Sequence, residues 1–292
     1  MITGSAHKLP VDTLWLGLHK TGTTFLQKSL DLSQPALRDA GIDYQELSEF
    51  RRLYTRPLLH AGHADAPAPV TQPAPSLRQR LIFDENILAL VQHALDPKGF
   101  YPQAAPRARV VADYLRLVDP RLVIGLRSFR TFLPALYCEA LKSTAFRRFR
   151  KFSASRPEHL SWADLLERLS AAFPQSELLV YTAEAMRGHE RQLLSLITGL
   201  AARDFTLLTE AERPGYSHQA VRALHDIRKS RPVTREDISA QVRRFPRDPG
   251  VSGFDPWTPT EARALDAAYA ADLARITALP RVRFLDPALL AS

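Results

Sequence analysis

Residues 13–32, TLWLGLHKTGTTFLQKSLDL, constrain this chain more than any other stretch. An apolar run over residues 13–18 leads into a turn holding Gly17 and Gly22, and Phe25, Leu26 and Leu30 then recur at helical spacing. The pattern predicts a buried strand, a tight loop and a helix over residues 23–32 with those three side chains on its inner face. A junction of this kind makes an anion site. The first N–H groups of the helix have no intrahelical partner, and the helix dipole favours negative charge there. Gly22 lets the backbone approach an anion closely. Lys20 adds a point charge, and Thr23 and Thr24 add hydroxyl donors. A nucleoside triphosphatase would follow the second glycine with Lys and then Ser or Thr. Here Thr23 and Thr24 hold those positions and the lysine lies inside the loop. That counts against a magnesium-triphosphate hydrolase of the usual design. Asp84, after the apolar residues 81–83, is the acid such an enzyme would offer to a metal.

Further strands are expected at residues 41–44, 81–83, 122–126 and 177–181. Helices are expected at about residues 86–95, 131–142, 190–200 and 217–229. Another begins at Ser161, where Trp162, Leu165, Leu166, Leu169 and Phe173 share a face. Thr258, Pro259 and Glu261 form a helix-start signature, and Leu265, Tyr269, Leu273 and Ile276 line the helix that follows. Strands alternate with helices, so an α/β fold with a central, mostly parallel sheet flanked by helices is expected. No internal repeat or domain boundary stands out, and residues 1–292 read as a single domain. Residues 60–76 are a Pro/Ala-rich loop, either a linker or a lid over the site.

The formal net charge is +8, and the basic residues are scattered rather than gathered into a tail or an aromatic-basic repeat. A small, highly anionic ligand suits the arginines better than nucleic acid does. Cys138 is the only cysteine, which excludes an internal disulfide and a cysteine metal cluster. No apolar run approaches the length of a membrane span. The first residues lack a secretory pattern, so a cytoplasmic setting is expected.

The stretch HKTGTTFLQ resembles the 5′-phosphosulfate loop of sulfotransferases that use 3′-phosphoadenosine 5′-phosphosulfate (PAPS). The resemblance implies a P-loop NTPase-like sulfotransferase architecture with PAPS as donor, adenosine 3′,5′-bisphosphate (PAP) as product and no metal. It assigns Lys20 to the bridging oxygen and leaving group, Gly22, Thr23 and Thr24 to the 5′-phosphate, and Thr21 to a backbone contact. The family binds the 3′-phosphate with an arginine at a strand end and a serine on the next helix. LVIGLRSFRTFLPAL has this layout with Arg127 as the arginine, but Ala135 stands where the serine is expected. Ser128 or Arg130 would have to compensate. RPGYSHQAVRAL resembles a late basic loop that reaches the donor, with Arg213 as its candidate. LIFDENIL, the stretch from Ser161 to Met186 and the last helix also resemble the family, so the similarity spans most of the chain.

An acceptor hydroxyl or amine must lose a proton as it attacks sulfur. Glu85, expected at the rim of the sheet, is the preferred base, with His60 and His63 as alternatives. His19 is expected to shape the loop, and Glu184 to be structural. The transfer reading competes with a P-loop kinase using Mg-ATP, a PAP-binding protein without catalysis, and a nucleic-acid binder. A small-molecule or saccharide acceptor is expected, with saccharide, lipid, small phenol and peptide all open; neither the acceptor nor the oligomeric state is encoded by a motif.

Overall fold

The computed structural model describes residues 11–59, 78–96, 99–153, 160–209, 215–248 and 250–286. Its strands are β1 (Thr13–Trp15), β2 (Ile42–Tyr44), β3 (Gln79–Phe83), β4 (Leu95–Asp96), β5 (Gly99–Phe100), β6 (Arg121–Leu126), β7 (Leu178–Thr182) and β8 (Val282–Phe284). Its helices begin with α1 (Thr23–Leu32), α2 (Gln34–Asp39), α3 (Leu47–Phe50), α4 (Arg56–Leu59), α5 (Ala104–Tyr114) and α6 (Phe129–Ala140). They continue with α7 (Phe149–Phe152), α8 (Trp162–Ala172), α9 (Ala183–Met186), α10 (Glu190–Thr198), α11 (His218–Ser230), α12 (Arg235–Arg244) and α13 (Pro259–Thr277).

Six strands form one sheet in the order β2-β3-β1-β6-β7-β8, and every pairing is parallel. The expected α/β architecture is therefore present. Strand side chains alternate between the two faces of the sheet. Leu14 and Leu16, Leu122, Ile124 and Leu126, and Leu178 and Val180 enter one core. Trp15, Val123, Leu179 and Tyr181 enter the other. Apolar residues of α5, α6, α8 and α13 cover the first face, and Leu26, Leu30, Leu37, Leu193, Leu194 and Ile197 of α1, α2 and α10 cover the second. Trp15 and Phe83 stack across β1 and β3 with centroids 4.1 Å apart.

Helix α1 has the expected bounds, while β1 ends at Trp15, short of the full apolar run. The helix expected at residues 86–95 does not form. Two 3₁₀ turns, Glu85–Ile87 and Val91–His93, take its place. The reason is tertiary: Arg107 of α5 donates to the carbonyls of Asn86 and Ile87, at 2.8 and 2.9 Å, which a helix would need for itself. Ile87, Leu88 and Ala89 are also buried consecutively, which one helix face cannot achieve. Helix α5 escaped prediction because its inner face is mostly small: Ala104, Ala108, Val111 and Ala112. Helix α12 buries only Ile238, although its Thr234–Asp237 capping box was there to be read.

The chain leaves β1 toward β2 and β3 on one side and continues through β6 on the other. The carboxyl ends of β1, β3 and β6 thus meet at a switch in strand order, where open α/β sheets bind ligands. No helix among the described residues is long and apolar enough to cross a membrane.

Candidate active site

The turn from β1 to α1 occupies that switch point. Gly22 caps α1 with φ 87°, a left-handed conformation that suits glycine. No acidic residue stands in the first turn of α1, and no side chain caps it, so its first amides face outward. Lys20 is also left-handed, with φ 64°. That is uncommon for a residue with a β-carbon and is a form of strain concentrated at functional sites. Thr21 is fully buried and its hydroxyl donates to the Leu18 carbonyl at 2.7 Å. The Thr21 side chain is therefore spent on holding the loop. Thr23 is buried, while Thr24 is half-buried beside it.

Lys20 Nζ donates to Glu139 Oε2 at 3.0 Å, and Lys142 donates to the same oxygen at 2.8 Å. Burial alone would raise the Glu139 pKa, but the Lys20 and Lys142 charges hold it down at about 2. This has a consequence for stability. Glu139 has an ordinary pKa of 4.5 when unfolded, so its pairing contributes fully above that pH. The contribution is lost as the pH falls toward about 2. Wild type and Glu139→Gln, unfolded in urea across that window, should converge in stability as the pH drops. A constant difference would mean that the ion pair does not form in solution.

Arg127 directly follows β6 and joins the loop: its Nη1 donates to the Lys20 carbonyl at 2.6 Å and its Nε to Thr131 Oγ1 at 2.9 Å. Its own carbonyl accepts from Trp162 Nε1 at 2.9 Å. Burial lowers the Arg127 pKa; the Glu184 carboxylate opposes this, and the charges of Arg187 and Arg247 add to it. The charges of Glu184, Arg187 and Arg247 are thus felt at Arg127. Arg247 is seated between two glycines: a β-carbon on Gly215 would meet its Nη1 at 2.6 Å, and one on Gly253 its Cζ at 2.8 Å. Ala135 lies on α6 between Thr131 and Glu139, at a spacing that puts all three on one helix face. Thr131 therefore presents a hydroxyl one turn before Ala135. Of the two residues expected to compensate for Ala135, Arg130 is drawn toward Asp266 and Asp255, at 3.5 and 3.7 Å. Ser128 contributes its backbone N–H to Glu184 at 3.0 Å. Glu184 also accepts from Tyr269 at 3.3 Å.

Glu85 lies against the loop, with its β-carbon 3.6 Å from where a β-carbon on Gly17 would sit. It accepts from Gln27 Nε2 at 2.9 Å and pairs with Arg51 at 3.1 Å. Burial would raise its pKa, but the charge of Arg51, then that of His19, and the Gln27 hydrogen bond hold it below the usual carboxylate range. Its neighbour Asp84 is fully buried. Arg51 donates to it twice, at 2.7 and 2.9 Å, Thr55 at 2.6 Å and the Asn86 amide at 2.9 Å. Asp84, the acid a magnesium enzyme would have offered to its metal, is thus committed to Arg51 and Thr55, both presented by a widened π-helical turn over Arg51–Thr55. His19 is buried with Nδ1 2.9 Å from the Tyr101 hydroxyl. Burial is the main cause of its lowered pKa, opposed by Glu85. His60, His63 and Arg213 lie outside the described residues, as does the loop over residues 60–76.

The structure brings Lys20, Thr21, Gly22, Thr23, Thr24, Glu85 and Arg127 to one end of the sheet. Reasoning from sequence missed Arg51, Thr131, Glu139, Arg187 and Arg247. Only the helical spacing of Thr131, Ala135 and Glu139 could have been found by counting from Arg127.

No family model matches the chain, and no curated protein matches it. Among solved structures, a sulfotransferase from Alicyclobacillus acidocaldarius is similar at 16% sequence identity and a TM-score of 0.40, over 82% of this chain and 96% of that one.

Proposed function

We propose that the chain is a sulfotransferase that moves a sulfuryl group from PAPS to a hydroxyl or amine of a small-molecule or saccharide acceptor. One observation carries this reading: Lys20 stands inside a glycine turn at the N-terminus of α1, tied to Arg127 through its own carbonyl. A lysine there reaches a leaving group between two anions rather than a terminal phosphate. The donor supplies an activated sulfuryl group on a phosphate. Gly22, Thr23, Thr24 and the open amides of α1 would hold its 5′-phosphate. Lys20, released from Glu139, would neutralise charge growing on the bridging oxygen. Arg127, with Arg187 and Arg247, suits the dianionic 3′-phosphate, since guanidiniums pair with phosphate oxygens. Thr131 does not replace the hydroxyl Ala135 lacks: its own accepts from Arg127 and donates to the Ser128 carbonyl at 3.2 Å, which fixes the arginine.

Glu85 is the base in this scheme. The new bond forms from the acceptor oxygen or nitrogen to sulfur, the bond from sulfur to the bridging oxygen breaks, and the acceptor proton passes to Glu85. Its Arg51 partner keeps it ionised at neutral pH and so ready to accept. The same pairing makes it a weak base, which suits a reaction whose proton leaves late.

The rival kinase reading would use Asp84 for magnesium, and the hydrogen bonds to Arg51 and Thr55 oppose that. Calorimetric titration with PAP and with ADP, each with and without magnesium, separates the two. Binding of PAP alone, independent of magnesium, is expected. Preference for magnesium-ADP would overturn the proposal in favour of a kinase, and binding of neither nucleotide would overturn both.

A further inference from the structure

A cavity of about 370 Å³ opens beside α11, and none of the residues assigned to the nucleotide lines it. Its walls include Arg148, Arg222, His225, Asp226, Lys229 and Phe254. Lys229 is paired with Asp226 at 2.7 Å. Neither Arg148 nor Arg222 forms a salt bridge with any described residue. The cavity therefore holds two more positive side chains than negative ones, with its single carboxylate already engaged. His225 packs its ring edge-on against Phe146, with centroids 5.6 Å apart. Its Nε2 is shielded from solvent and has no hydrogen-bond partner. Burial, followed by the Arg148 charge, lowers the His225 pKa. Phe254 gives an apolar wall and is itself fixed by ring contacts with Tyr137 and Phe149, at 5.6 and 5.4 Å.

Neither guanidinium is tied to a carboxylate in a salt bridge, and arginine recognises oxyanions through paired hydrogen bonds. The volume falls in the range of small-molecule sites, about 300–1,000 Å³, which combine an apolar wall with a few convergent polar groups. We propose that this cavity binds a small organic anion: a ring with one apolar face that carries a sulfate, phosphate or carboxylate group. Arg148 and Arg222 grip the anionic group, and the ring lies on Phe254. The site does not depend on the transfer reaction, although an acidic acceptor would fit it.

Calorimetry on the full chain tests the site with glucose 6-sulfate, glucose 6-phosphate and glucuronate as probes, and with glucose and inorganic sulfate as controls. At least one charged sugar should bind more tightly than either control. The double variant Arg148→Ala/Arg222→Ala should weaken that binding by roughly tenfold or more, since it removes both charge-assisted pairs, each discounted for exposure. Both residues are exposed, so the fold should survive, with circular dichroism as the check. Arg222→Glu provides a second, independent loss by reversing one charge. PAP affinity, measured on the same samples, should not move. Charged sugars no tighter than the controls, or variants that bind as wild type does, would overturn the cavity proposal and leave the nucleotide site standing. Loss of PAP binding with sugar binding intact would do the reverse.

Discussion

Lys20→Ala is expected to fold as wild type does and to lose about 10²–10³-fold in sulfuryl transfer, the effect of removing one preorganised group that stabilises developing charge. The fold should tolerate the change because the side chain is partly exposed and its one ion pair, with Glu139, leaves that carboxylate still bonded to Lys142. Alanine also keeps a β-carbon, so the left-handed backbone at φ 64° is no more strained than before. PAP affinity should fall much less than turnover, because Arg127 and the amides of α1 are untouched. A coupled sulfate-transfer assay beside calorimetry separates the two effects, and unchanged turnover would remove Lys20 from the chemistry. Glu85→Gln in the same assay should retain PAP binding and lose turnover; loss of PAP binding instead would take Glu85 out of the proton-accepting part.

Asp84→Ala should cost about 3–5 kcal/mol of stability, the range for breaking a buried ion pair by removing one partner. Asp84 is fully buried, and four hydrogen bonds converge on it, from Arg51, Thr55 and the Asn86 amide. Without it, Thr55 keeps a buried hydroxyl with its partner gone, the 3₁₀ turn at Glu85 loses its cap, and Arg51 has only Glu85 left. Asp84→Asn should cost less, since its one amide oxygen can still accept from Arg51 and the Asn86 amide, and its NH₂ can donate to the Thr55 hydroxyl, while the charge is lost. Urea unfolding of the three proteins gives the comparison. A cost below about 1 kcal/mol for the alanine variant would mean that the cluster relaxes into solvent and holds little of the rim together.

Much of the scaffold was legible because its signals are local. The continuous apolar runs of β6 and β7, the leucine spacing of α8 and the capping box of α13 each lie within one segment of chain. Failures came where a distant residue intervened. The turn after β3 departs from a helix because Arg107 takes its carbonyls, and α5 was hidden because alanines fill a tight gap against the sheet without raising hydrophobicity.

The sequence by itself determined that residues 13–32 fold as strand, glycine turn and helix, and therefore that Lys20, Gly22, Thr23 and Thr24 stand at a helix N-terminus. Period, glycine and apolar spacing all agree there, and no distant contact is needed to choose among conformations. Only the tertiary structure decided what those residues meet. Lys20 finds Glu139 across 119 positions of chain, Arg127 finds the Lys20 carbonyl across 107, and Arg51 finds Asp84 across 33. The charges of Arg187 and Arg247 reach Arg127 from two further segments. Charges carry no periodicity that announces a partner. Their pairing follows from which strand ends the parallel sheet brings side by side, and that order is settled by burying both faces at once.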